Sequence, residues 1–263
     1  MTALAAITLG SELAPRDFDA VVTGVFDRTC NIRLSSGYLV TCTTADYFDM
    51  PRGIRVDTSA GFSFQSAVRC KTSSHCRGGI VRFSGSSFKI DCRDASVWQG
   101  NFKPKFRPPA HLVNKLWEMA HSDFRENLPY FRPESLIGRG DGLTPTGDDI
   151  LTGLLAAPML VAPNRASHQV LASKVKLLSY VTNEISRKML EDAAEGLFIE
   201  PVVSLLSAIY GNGDLQRAIR NLRAVGATSG VAMLMGVLAG VANVEGIRLK
   251  PEGTLQLHSV GLI

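Results

Sequence analysis

Gln99–Pro109, QGNFKPKFRPP, separates two stretches of sequence that follow different periodicities. Three prolines and three basic residues make it a linker or an extended crossing segment. Before it, Phe18–Phe26, Asn31–Thr43, Phe62–Cys70, Gly79–Phe83 and Ser86–Asp91 are rich in Val, Ile, Thr, Tyr and Phe in near-alternation. This is the pattern of half-buried strands. Short strands at roughly ten-residue spacing predict a small antiparallel β barrel or sandwich. Pro51-Arg52-Gly53 predicts a turn, with Pro fixing φ and Gly supplying a positive one. After the linker the apolar residues recur every three or four positions. That spacing predicts helices over His111–Ser122, Asp149–Val161, Gln169–Leu190, Pro201–Tyr210, Asp214–Val225 and Ser229–Val244. Thr254–Leu257 adds a candidate last strand. The expected fold class is α+β, with a β-rich domain over residues 1–105 and a mainly helical domain over residues 106–263.

One segment repeats. Thr146–Ala156 (TGDDILTGLLA) and Ser229–Ala239 (SGVAMLMGVLA) share a hydroxyl residue, a glycine and an apolar helix with a second glycine six residues on. A glycine on an apolar face lets two helix backbones approach. The echo therefore predicts that Gly153 and Gly236 pack the two helices together, with both N-termini facing one region.

The chain of 263 residues is 45% hydrophobic and 20% charged, ordinary values for a globular protein. Its net charge of +4 is spread over both halves, with no basic tail or aromatic-interleaved basic patch, so no nucleic-acid partner is expected. The apolar runs Leu151–Ala162 and Val231–Val244 fall short of the ~18 residues of a membrane span. No signal peptide is read at the N-terminus. The five cysteines, Cys30, Cys42, Cys70, Cys76 and Cys92, are odd in number and irregularly spaced. Reduced thiols and a cytoplasmic location are expected. Cys70, His75, Cys76 and Cys92 do not have the spacing of a zinc site, and no metal site is assigned. No cofactor is indicated.

Chemistry concentrates in Gly138–Asp149, GRGDGLTPTGDD. A glycine-rich loop entering a helix turns backbone N–H groups towards a ligand, and the helix end adds about half a positive charge. The natural guest is a small anion. In this reading Gly140, Gly142 and Gly147 shape the loop and Thr144 and Thr146 hydrogen-bond the anion. Arg139 neutralises its charge, and Asp148 or Asp149 orients an amine or a metal. The same residues also read as a helix cap, with Thr146 at the N-cap and Asp149 three positions on, reaching back. Further along, Thr182 and Ser186 are four residues apart and are expected on one helix face. Glu191, Asp192 and Glu195 crowd a helix end before Gly196, against the helix dipole unless paired. No histidine stands in a Ser-His-Asp or Cys-His context.

Three motifs together resemble the AllH-like family. They are Gly138-x-Gly140-x-Gly142-Leu143-Thr144-Pro145-x-Gly147-Asp148-Asp149, Thr182-x3-Ser186-x3-Leu190 with Ala193-x-Glu195-Gly196, and Gly226-x-Thr228-Ser229-Gly230. The likeness runs from about Phe18 to Gly240. The chain departs from the family's pattern in the last motif: Ala227 stands in place of a histidine, and Val231 and Ala232 supply no carboxylate. The resemblance implies a subunit of an oxamate carbamoyltransferase, working with FdrA-like and AllG-like subunits in allantoin catabolism. The reaction would move a carbamoyl group between oxalurate or oxamate and phosphate. The expected catalytic residues are Asp148, Asp149 and Arg139. The expected substrate contacts are Gly140, Gly142, Thr144, Thr146, Gly147, Thr182, Ser186, Ser229 and Gly230. Two alternatives stand beside this. One is a non-catalytic anion-binding or scaffold subunit. The other is a metal-dependent phosphoryl or acyl hydrolase using Asp148 and Asp149, although neighbouring residues on a helix point about 100° apart.

Overall fold

The computed structural model describes residues 2–13, 17–124 and 132–250. The expected strand at Thr254–Leu257 lies outside these. The chain forms two compact units, Met1–Gly100 and Asn101–Ile263.

The first unit is a β barrel. Its strands are β1 (Thr2–Gly10), β2 (Phe18–Val25), β3 (Thr29–Leu34), β4 (Leu39–Thr43), β5 (Gly53–Val56), β6 (Ser73–Arg77), β7 (Ile80–Phe83), β8 (Phe88–Asp91) and β9 (Ser96–Trp98). The order β5-β4-β3-β2-β6-β7-β8-β1 closes where β1 pairs with β5. The barrel is mixed, which corrects the antiparallel expectation. β1 runs parallel to β8 through Thr2–Ala5 and parallel to β9 through Thr8–Gly10, yet antiparallel to β5. β4 and β5 are also parallel. The parallel pairs with β8 and β9 come from β1, a strand whose run TALAAITLG does not alternate and so gives no strand signal. It fills the gap between β8 and β5 and removes both open edges.

Two local expectations also change. Gly53 opens β5 and has no positive φ; a Cβ there would crowd Met50 at 3.1 Å, so close approach, and not a left-handed backbone, is what favours glycine there. Phe62–Cys70 is no strand: it contains the single turn α1 (Phe64–Ala67), whose Phe64 plugs the barrel core. That core is built from Val22, Cys30, Ile32, Val40, Cys42, Ile54, Val56, Val81, Phe83 and Ile90, all buried. Four of the five thiols point into it, and burial pushes those of Cys30 and Cys92 up to about 12. All five are free.

The second unit contains α2 (Ala110–Asp123), α3 (Pro133–Leu136), α4 (Thr146–Val161), α5 (Ala166–Leu178), α6 (Glu184–Ala194), α7 (Glu200–Ile209), α8 (Leu215–Arg223) and α9 (Ser229–Glu245). α4 and α9 are buried along almost their whole length and form its centre. The others wrap them with one apolar stripe each; in α8 Ala218, Ile219 and Leu222 are inside while Arg220 and Arg223 are exposed, Arg223 pairing with Asp123 at 2.9 Å. The segment after Gly100 is tied down by Lys105 N–H to the Tyr210 carbonyl at 3.0 Å and by Arg107 to Glu245 at 2.6 Å.

The helix expected over Gln169–Leu190 is broken. α5 ends in a 3-10 turn, Ser179–Val181, and α6 restarts after Asn183. The Asn183 side chain accepts from the N–H groups of Ile185 and Ser186, a side-chain cap that competes with helix continuation. The acidic end of α6 is compensated: Lys188 pairs with Glu191 and Lys176 with Glu195, each at 2.7 Å. Gly196, with φ +80°, closes it by passing its N–H to Ala193 and that of Leu197 to Asp192.

Candidate functional site

α4 and α9 run side by side in the same direction, and glycine is the reason they can. A Cβ on Gly153 would lie 2.2 Å from the Met233 carbonyl oxygen and 2.8 Å from the Val237 nitrogen. A Cβ on Gly236 would lie 2.1 Å from the Ile150 oxygen and 2.7 Å from the Leu154 nitrogen. Ile150 and Met233, like Leu154 and Val237, are equivalent positions of the sequence echo. The contact is therefore locally two-fold symmetric. Gly240 extends it, with a Cβ there falling 2.5 Å from the Leu154 oxygen, the carbonyl that Pro158 leaves without its helical donor. Each helix start is wedged in the same manner: Gly147 against the Leu136 carbonyl at 1.9 Å, Gly230 against that of Leu222 at 2.0 Å for the same hypothetical Cβ.

Parallel packing brings the two N-termini together. The Thr144 and Ser229 hydroxyls share a hydrogen bond of 2.9 Å, bridging the approach to α4 and the first residue of α9. Both side chains are half-buried, while residues 138–143 and 226–228 on either side are exposed. The positive ends of two helix dipoles meet here.

The acidic pair divides its work in a way the sequence did not disclose. α4 begins at Thr146 with Pro145 as N-cap and no side-chain cap, so the expected capping box of Thr146 and Asp149 is absent. The register is one residue earlier, which puts Asp148 at the third helical position. Its carboxylate is fully engaged, accepting from the Gly138 N–H at 2.8 Å and the Thr182 hydroxyl at 2.5 Å. Asp148 thus pins the glycine loop and the cap of α6 to α4. Asp149 is completely buried, and neither carboxylate oxygen accepts a hydrogen bond of good geometry. The hydroxyls of Ser229 and Thr144 lie close enough to moderate its charge, but their mutual bond uses one of their two protons and leaves at most one for the two oxygens of Asp149. Burial, with Asp148 adding to it, pushes the Asp149 carboxyl up to about 7 against the pull of those hydroxyls.

The remaining expected residues sort by geometry. Gly140, φ +108°, lies against Thr146, where a Cβ would sit 2.7 Å from its nitrogen; Gly142, φ +96°, has open space around it. With Gly138 at φ +72°, three alternate residues of the loop have positive φ. The Arg139 carbonyl accepts the Gly147 N–H at 2.8 Å, and its side chain is exposed. Pro145 takes the N–H groups of Asp148 and Asp149, so three donors of the α4 first turn are already used. Among the described residues no backbone carbonyl takes those of Gly140, Asp141, Gly142, Leu143 or Thr144. Thr182 joins the cluster through Asp148 from a non-helical position, so it shares no helix face with Ser186, contrary to expectation. Ser186 is buried in the first turn of α6 with its hydroxyl unbonded. Asn183, which sets that turn, is the site-supporting residue that sequence reasoning missed; an Asn before an amphipathic run is its signal. Among the described residues no three His, Cys, Asp or Glu side chains gather as a metal-holding group, and no helix is long and apolar enough to cross a membrane.

Barrel and helical unit together define an α+β protein whose candidate site is the joint start of a glycine-packed parallel helix pair. The AllH family N-terminal domain model matches residues 3–97, and the model described as oxamate carbamoyltransferase subunit AllH matches residues 136–241. The chain belongs to the AllH family. No solved structure matches it.

Proposed function

We propose that this chain serves as a subunit of an oxamate carbamoyltransferase, acting with FdrA-like and AllG-like subunits, and that a small carbamoyl-bearing anion binds where α4 and α9 begin. The observation that carries the reading is the junction itself. Two helix N-termini converge under an exposed glycine loop whose N–H groups from Gly140 to Thr144 have no backbone acceptor among the described residues, beside the paired hydroxyls of Thr144 and Ser229. Carbamoyl phosphate and oxamate are both anionic, and transfer builds charge on the carbamoyl oxygen and on the departing phosphate. Donors fixed in advance of that charge are the usual source of stabilisation. In this assignment residues 140–144 and the two hydroxyls touch the anion, and Arg139 offsets its charge from the loop rim. Gly147, Gly230, Thr146, Asp148, Thr182 and Ser186 shape or brace the junction.

The test is turnover by the assembled subunits with carbamoyl phosphate and oxamate. Arg139→Ala and Thr144→Val are expected to lower kcat by about 100-fold, the usual cost of one lost transition-state donor, in assemblies that form normally. The closure of the α4 first turn by its own carbonyls favours a second reading, a non-catalytic scaffold subunit. Unchanged turnover in both variants would select it.

A further inference from the structure

Asp149 is not explained by anchoring the loop, because Asp148 does that. It is a carboxyl with no exposure and two oxygens without a well-formed hydrogen bond, in a protein interior where such groups are rare. The half-buried Thr144–Ser229 hydroxyl pair lies beside it, and the chain on the loop side of each hydroxyl residue is exposed. A group of this kind lacks donors, and its surroundings restrict which donors can come. A free cation entering here meets the positive ends of two parallel helices. Once Asp149 has lost its proton, above about pH 7, a bare anion placed against it meets a like charge. A neutral N–H donor attached to an anionic remainder satisfies both fields: the N–H groups face Asp149, and the negative end faces the loop donors and Arg139.

We propose that Asp149 accepts hydrogen bonds from the primary amide NH2 of the ligand, and so makes the junction select amide-bearing anions over isosteres that lack those donors. This rests on the junction being the ligand site. It assigns Asp149 to specificity, and Asp148 and Thr182 to position.

Two isosteric pairs test it. Oxamate and oxalate differ by NH2 against oxygen, and carbamoyl phosphate and acetyl phosphate by NH2 against CH3. Calorimetric titration of the full chain, and of its assembly with partner subunits, at about pH 8, where Asp149 is ionised, is expected to favour the amide member of at least one pair by about 10- to 100-fold, the worth of hydrogen bonds to a charged acceptor. The pair that responds identifies which substrate presents its amide. Asp149→Asn, with folding checked by circular dichroism, is expected to lose most of that preference while still binding. Asp149→Ser stands in should the Asn variant fail to fold. Equal wild-type affinity within both pairs, or a preference that survives in the variants, overturns the inference and leaves the junction as an anion site. Absence of binding by all four compounds to chain and assembly overturns the underlying reading as well.

Discussion

Two adjacent aspartates show how much depends on one residue of register. Sequence alone places Thr146 at the N-cap; the helix instead begins there, with Pro145 as cap, and the roles of Asp148 and Asp149 exchange. Local sequence does not separate these registers, because Thr146 suits either position and the deciding partners, Gly138 and Thr182, come from elsewhere. Stability should report the difference. Asp149, at about 7 in the folded chain against an ordinary 3.8, holds a proton that the unfolded chain has released. Its contribution is complete below the unfolded value and disappears as pH rises through the folded one. The urea midpoint is therefore expected to fall between about pH 4 and about pH 7 and to level off above, and Asp149→Asn to flatten that fall and exceed the wild type at the alkaline end. A variant profile parallel to the wild type would contradict this. Thr182→Val, which strips a donor from the Asp148 carboxylate, should instead cost about 1.5–3 kcal/mol, measurable in the same titrations.

At the scale of elements, the helix pair was readable because close packing leaves a sequence mark: glycine where an apolar helix would otherwise carry a side chain, in both copies of the echo. The break at Ser179–Asn183 was not, because it depends on a side-chain cap prevailing within a run whose apolar period continues. β1 was not readable either, since its pairing is set by strands more than forty residues away. The glycines give a graded prediction. At Gly153 or Gly236 an alanine meets backbone, which cannot swing aside. Gly153→Ala and Gly236→Ala should each cost about 3 kcal/mol or more, the upper range for overpacking. Gly142→Ala meets nothing and should cost only the left-handed backbone, about 1–2 kcal/mol. Chemical denaturation of the three variants orders them, and equal losses would show that the α4–α9 contact yields to a methyl group.

Over the whole molecule, the change of periodicity around Gln99–Pro109 falls where the two compact units meet in the chain, and each unit has its own means of burying apolar surface. In the first unit closure does this. Without β1, β5 and β8 would present unpaired backbone edges, and the packed set from Val22 to Ile90 would lose one wall. With β1 in place every core residue of the barrel is supplied from within the first hundred residues. A domain of that size buries enough surface to fold unaided. Residues 1–100 alone are therefore expected to be soluble, to give a β-type circular dichroism spectrum and to melt in one cooperative transition. The same piece lacking residues 1–10 keeps the other strands but leaves two edges open, and should aggregate or lose its cooperative melt. If both pieces behave alike, β1 is an accessory to a sheet that holds without it, and the barrel's closure is not what stabilises the unit.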